Sequence, residues 1–333
     1  MKHGIGGMTL FGLFLLLSSL GLGESQKFRV IKKLSVPENP HGIAFSPDDR
    51  EVYLVSTRGE TLTVFDYDTD SVLRSFKLSD LPIGIAVTPD GRHGVVSHFG
   101  ADRLSLVNLL TGEIVETRRV GPHPTLFALS KDARRAFVSC EQNDRVYEIS
   151  LEPFDVVGSF ETGPRPFPPA LSRDGRWLFV PSYDEGEVTV IDLLLRSVDD
   201  TIRVGEKPSG GAMLPDDKHF AVVNRGSDRI DLLNIHTHEV DSTIGSGLGK
   251  EPFSMVLSPN GSLGFVNNVA SGNVSVLDID KLAVLSQIQV GEQPIVMAVH
   301  PTGRKLYVSC EGSHELYVVA IPDKWVTESA SEP

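Results

Sequence analysis

Two thiols and an imidazole, Cys140, Cys310 and His98, are the residues of this chain with the chemistry to hold a soft metal. Thiolate and imidazole ligands suit copper(I) or zinc, and His41 or His123 could complete such a set. The competing expectation is that both cysteines are small, semi-buried replacements for Asn or Ser. A second possibility is acid–base chemistry. Arg225 could hold a carboxylate or phosphate by paired hydrogen bonds, with His123 or Glu141 as the base. Three other motifs carry less. Asp66-Tyr67-Asp68-Thr69-Asp70 opens like a calcium loop, but Ser71 and Lys77 stand where that loop needs Gly and Glu. Gly245 to Lys250 resembles a phosphate loop, yet Glu251 replaces the required Ser or Thr. His236-Thr237-His238 falls on an outer turn. No H-E-x-x-H, G-x-S-x-G or C-x-x-C-H pattern is present, so catalysis has no complete signature and a non-enzymatic role is favoured.

What positions these residues is an internal repeat. Pro40, Pro82, Pro124, Pro166, Pro208, Pro252 and Pro294 follow one another at intervals of 42, 42, 42, 42, 44 and 42 residues. That spacing matches a four-stranded propeller blade, about 40–45 residues. Each Pro heads a short apolar segment with a small residue four positions on: Ala44, Ala86, Ala128, Ala170, Ala212, Val256 and Ala298. A tight turn follows, such as Thr88-Pro89-Asp90-Gly91, in which Pro presets φ and Gly suits the fourth place. A second strand follows, such as Val52 to Val55, and then a third, alternating one, such as Val188 to Asp192. The last unit stops after its third strand, Leu316 to Ile321, while an orphan strand, Phe28 to Val36, precedes the first Pro. The expected fold is therefore all-β: a seven-bladed β-propeller of four-stranded blades over 24–325, its ring closed by the N-terminal strand. Closure hides the edges that an open array would expose.

The stretches Ile43 to Asp48, Tyr307-Val308-Ser309, Phe265 to Asn268 and Val274 to Asp278 resemble the YVTN β-propeller repeat family over about residues 28–321. That resemblance implies the fold, and it implies a surface or periplasmic binding role; similar blades also form the propeller domains of some haem and copper enzymes. Asn224-Arg225-Gly226-Ser227-Asp228 and Gly121-Pro122-His123-Pro124 resemble segments of the seven-bladed lactonase family. The alternative this raises is a lactonase-like hydrolase, or a metal- or cofactor-associated propeller, using the same site.

Structure accounts for what repeats share, so function is sought where they differ. Sixteen residues after each Pro stand Ser56, His98, Cys140, Ser182, Asn224, Asn268 and Cys310, each followed by Thr57, Phe99, Glu141, Tyr183, Arg225, Val269 or Glu311. With the entry-loop residues His41, His123, Arg165, Lys207, Glu251 and Glu292, both sets are expected to rim one mouth of the channel. The candidate ligand-binding residues are His41, His98, His123, Glu141, Tyr183, Arg225 and Glu311. The cysteines fall in blades three and seven, too far apart for a disulfide, which needs Cα atoms within about 7 Å, so two free thiols are expected.

Composition narrows the partners. The formal charge of −13 disfavours nucleic acid and anionic membranes. Lys2, the apolar run Met8 to Leu22 and the small residues Gly21 and Gly23 read as a signal peptide over 1–23. An exported monomer follows, periplasmic or at the cell surface, without stable membrane insertion after cleavage and with a flexible tail over 326–333. Its expected partner is a protein, a peptide or a small polar ligand, with no obligatory cofactor.

Overall fold

The structure, a computed structural model, describes residues 27–326. The expected signal peptide and nearly all of the expected tail lie outside these residues. Each repeat forms one antiparallel blade. In the first, inner strand Pro40–Phe45 pairs with Glu51–Ser56, then Thr61–Asp66, then outer Ser71–Lys77. Seven sheets have this order. The seventh takes Pro294–Val299, Lys305–Cys310 and Glu315–Ala320 from the end of the chain and its outer strand, Arg29–Ser35, from the beginning. Arg29 lies opposite Ala320 and Ser35 opposite Glu315, so the N-terminal strand closes the ring. Among the described residues no helix is long and apolar enough to cross a membrane.

The core is seven apolar clusters, one between each pair of neighbouring blades. Side chains alternate along a strand, so Tyr53 and Val55 pack toward blade two while Val52 and Leu54 pack toward blade seven. Burial on both faces explains why second strands such as Glu51–Ser56 and His219–Asn224 carry nearly unbroken apolar runs rather than polar–apolar alternation. Hydroxyls tie adjacent inner strands near the channel: Ser97 Oγ donates to the Thr125 carbonyl, and Ser139 Oγ to that of Phe167, each at 2.7 Å.

Blade four departs from the pattern. Pro168 and Pro169 remove two backbone donors, and the inner strand shrinks to Ala170–Leu171 with a single bridge from Pro166 to Ser182.

The seam between the last and first blades carries a tie that the repeat does not encode. Asp70 accepts from Lys305 Nζ at 2.9 and 3.0 Å and from the Tyr307 hydroxyl at 2.9 Å, with side-chain exposures of 6% for Asp70 and 14% for Lys305. Tyr67 stacks on buried His300 at 3.6 Å. The Asp66–Asp70 stretch is a turn exposed at Asp68 and Thr69, while its last carboxylate is a buried counter-charge across the ring closure.

Candidate functional site

One backbone contact builds the mouth, and it recurs in all seven blades. The residue before each inner-strand Pro is left-handed: Asn39, Leu81, His123, Arg165, Lys207, Glu251 and Gln293 have φ between 50° and 55°. A following Pro disfavours the right-handed helical region. The carbonyl of each accepts from the N–H of the residue seventeen past the same Pro: Thr57, Phe99, Glu141, Tyr183, Arg225, Val269 and Glu311. These are the two rings of the rim. Of the entry-loop residues expected there, His123, Arg165, Lys207 and Glu251 hold the left-handed position. His41 and Glu292 do not. His41 sits one residue past its Pro, within the strand, and the matching rim positions belong to Asn39 and Gln293.

Side chains then join each blade to the next. Phe99 stacks on His123 with ring centres 4.1 Å apart. Glu141 faces Arg165 at 3.7 Å. Arg225 donates to Glu251 through Nε at 3.1 Å and through its Nη2 at 2.7 Å. Asn39 Nδ2 donates to Glu311 at 2.5 Å. His41 lies just inside, 4.0 Å from Glu311 and 3.1 Å from Thr57 Oγ1. Tyr183 stacks on Phe167, which meets Phe253 edge-on at 5.9 Å, and the Arg225 guanidinium lies 5.7 Å over Phe253. An aromatic and charged arc therefore runs from blade two to blade six. Phe167 and Phe253, one residue past their prolines as His41 is, were not among the expected site residues. Burial pushes the Glu141 carboxyl above its usual range, opposed by the charges of Arg165 and His123. Burial also lowers His41, opposed by Glu311.

The position one residue earlier is not on the rim. Ser56, His98, Cys140, Ser182, Asn224, Asn268 and Cys310 are all fully buried. Each ends its strand with the side chain wedged beneath the loop that precedes the same inner strand. A Cβ on Gly205 would lie 2.7 Å from that of Asn224, and one on Gly291 would lie 2.9 Å from that of Cys310. His98 donates from Nδ1 to the Ser79 carbonyl at 2.7 Å, and burial lowers its pKa. The cysteines are free, and burial pushes both thiols up to about 12. Cys140, Cys310 and His98 lie in three different blades, and among the described residues no group of three or more His, Cys, Asp or Glu is placed to hold a metal ion. The expected copper or zinc set is not assembled. The cysteines have a packing explanation: Cys140 and Cys310 pair with Arg145 and Glu315, and the same-face residue two further along the third strand is Tyr147 or Tyr317, where other blades carry Thr, Ser or Asp. A large ring there leaves room for only a small partner.

The residues of the hydrolase alternative, Arg225 with His123 or Glu141, all stand on the rim. The Asn224 amide turns inward to the Val222 carbonyl, Asp228 accepts from the Glu251 N–H, and Arg225 is engaged by Glu251. His238 of the outer turn contacts Asp199 and Asp200. One recess adjoins the rim and another lies at the far end of the channel. A cavity of about 720 Å³ leads outward from Arg225 and Val269 between blades six and seven to Tyr317. On the opposite mouth, a cavity of about 570 Å³ is lined by Phe45, Val87, Phe127, Leu129 and the turn residues Pro89 and Pro301.

No protein-family model matches this chain, and no curated protein matches it. Solved structures do. One is hydrazine synthase of Kuenenia stuttgartiensis, with a TM-score of 0.76 and 18% identity, the match covering 86% of this chain and 96% of that one. At that identity the likeness shows the fold alone.

Proposed function

We propose that this chain is an exported binding protein, a propeller of YVTN-type repeats whose polar mouth receives a protein, a peptide or a small polar ligand. The observation that carries this is the arc Phe99, His123, Glu141, Tyr183, Arg225 and Phe253. It is drawn from three recurring positions of the blades, one before, one past and seventeen past the inner-strand Pro, and it gathers aromatic rings and charges on one face. Aromatic and arginine side chains dominate binding energy where they meet a partner, because they offer large, rigid contact area with a polar edge. Fold likeness supplies no activity. The proposal is tested by capture from the extracytoplasmic extract of the source organism, comparing the unaltered chain with Phe99→Ala/Phe253→Ala and with an outer-edge control, Leu194→Ala. Loss of the same retained species in the double variant alone supports mouth binding. Equal retention by all three contradicts it.

A further inference from the structure

One rim pair does not close. Where Arg225 and Asn39 reach their carboxylates at hydrogen-bond length, Arg165 Nε stands 3.7 Å from Glu141 and Arg165 Nη1 stands 3.6 Å from Asp184. Its guanidinium instead lies over the rings of Tyr183, at 4.7 Å, and Phe167, at 5.8 Å. The side chain is 46% exposed, and its contacts with both carboxylates are longer than 3.5 Å. Its backbone is held independently, by the left-handed φ of 52° and by the Arg165 N–H donating to Asp144 Oδ1 at 3.1 Å. Two carboxylates and two stacked rings are the surroundings that select a planar cation, through charge-assisted hydrogen bonds and attraction to the ring faces. Glu141 is only 19% exposed, so a cation bonded to it would replace solvation that burial has removed.

We propose that the recess formed by Glu141, Asp184, Tyr183 and Phe167 recognises an arginine side chain of a peptide partner, and that Arg165 occupies it as a displaceable internal stand-in. This rests on the binding role proposed above and names the chemistry of its ligand. Displacement moves a half-exposed side chain into water and exchanges its long contacts with the two carboxylates and its place over the two rings for those of the incoming cation. The net charge of −13 draws cationic partners toward the mouth. An anionic ligand would instead meet two carboxylates beside Arg165.

The test is calorimetric titration of the folded chain at low ionic strength with N-acetyl-glycyl-arginyl-glycinamide, with the glutamyl analogue as control. Arg165→Asn suits the left-handed backbone, and Arg165→Gly is a second variant should Asn perturb folding. Both are expected to bind the arginyl peptide about tenfold more tightly than the unaltered chain, because a site filled by its own side chain binds with affinity reduced by its open fraction. Adding Glu141→Gln should abolish the gain. The proposal is overturned if neither variant gains affinity, or if the unaltered chain binds the glutamyl peptide and Arg165→Asn loses it. Phe253 touches the Phe167 ring edge-on, whereas Phe99 stacks on His123 and touches none of the four recess residues, so loss of capture in Phe99→Ala alone beside a silent arginyl titration would sink the cation site while leaving mouth binding intact.

Discussion

Replacing Asp70 by Asn should destabilise the ring by about 3 kcal/mol. The carboxylate is nearly buried and is the counter-charge of a nearly buried ammonium, Lys305 Nζ, which also donates to the Tyr67 carbonyl at 2.5 Å. Removing one partner of a buried pair costs about 3–5 kcal/mol, because the other charge is left uncompensated. The Asn carbonyl can still accept from Tyr307, which returns about 1 kcal/mol. Urea unfolding followed by tryptophan fluorescence gives the difference, with Asp80→Asn as control. Asp80 pairs with Arg103 at 2.6 Å, but the two side chains are 40% and 30% exposed, so its loss should cost no more than about 1 kcal/mol. Combining Asp70→Asn with Lys305→Met should recover much of the loss, with a coupling of about 2 kcal/mol, since a buried pair exchanges for apolar groups at little net cost. If Asp70→Asn costs no more than Asp80→Asn, the seam pair is solvated and its role in closing the ring is wrong.

Three further outcomes follow from the same geometry. Burial lowers the His300 pKa to about 4, whereas an unfolded histidine titrates near 6.5. Between those values unfolding lets this histidine bind a proton, so its contribution should lower stability as pH drops from about 6.5 to about 4, by at most about 3 kcal/mol, with buried His41 and His98 acting in the same direction. Unfolding midpoints across this range check it, and His300→Phe should remove that component of the slope. Neither cysteine should react with a thiol reagent in the folded protein at neutral pH, and both should react after unfolding, because burial keeps them protonated; a rapidly labelled native thiol would contradict their placement. Deleting 27–35 should expose the edge of Glu315–Ala320 and give a chain that self-associates in sedimentation; a stable monomer would show that the N-terminal strand is dispensable.

The seven prolines made the fold legible, because a fixed interval with one strand pattern leaves few architectures open. Their register carried half of the site. Phe99, Glu141, Tyr183, Arg225 and Glu311 are rim residues because each follows the strand end, where the chain has turned toward the mouth. His98, Cys140 and Cys310 stand one residue earlier and were assigned to the same rim, but strand alternation sends that position under the loop instead. The co-occurrence of Cys140 with Tyr147 and of Cys310 with Tyr317, same-face neighbours in one apolar cluster, was a signal in the aligned repeats that pointed to packing. Asn39 was missed because His41 is the more conspicuous side chain, and Asp70 because its partners lie at the far end of the chain. A repeat describes neighbours within a blade. It does not describe the one interface that joins the last blade to the first.

Mouth binding itself is tested most directly by photo-crosslinking. A benzophenone side chain placed at Tyr183 on the polar mouth, and separately at Pro89 on the opposite one, reports which face the natural partner touches. The expected result is a discrete adduct from position 183 and none from 89. An adduct from 89 alone would move the binding site to the apolar mouth lined by Phe45 and Phe127, and would contradict the function proposed for the rim.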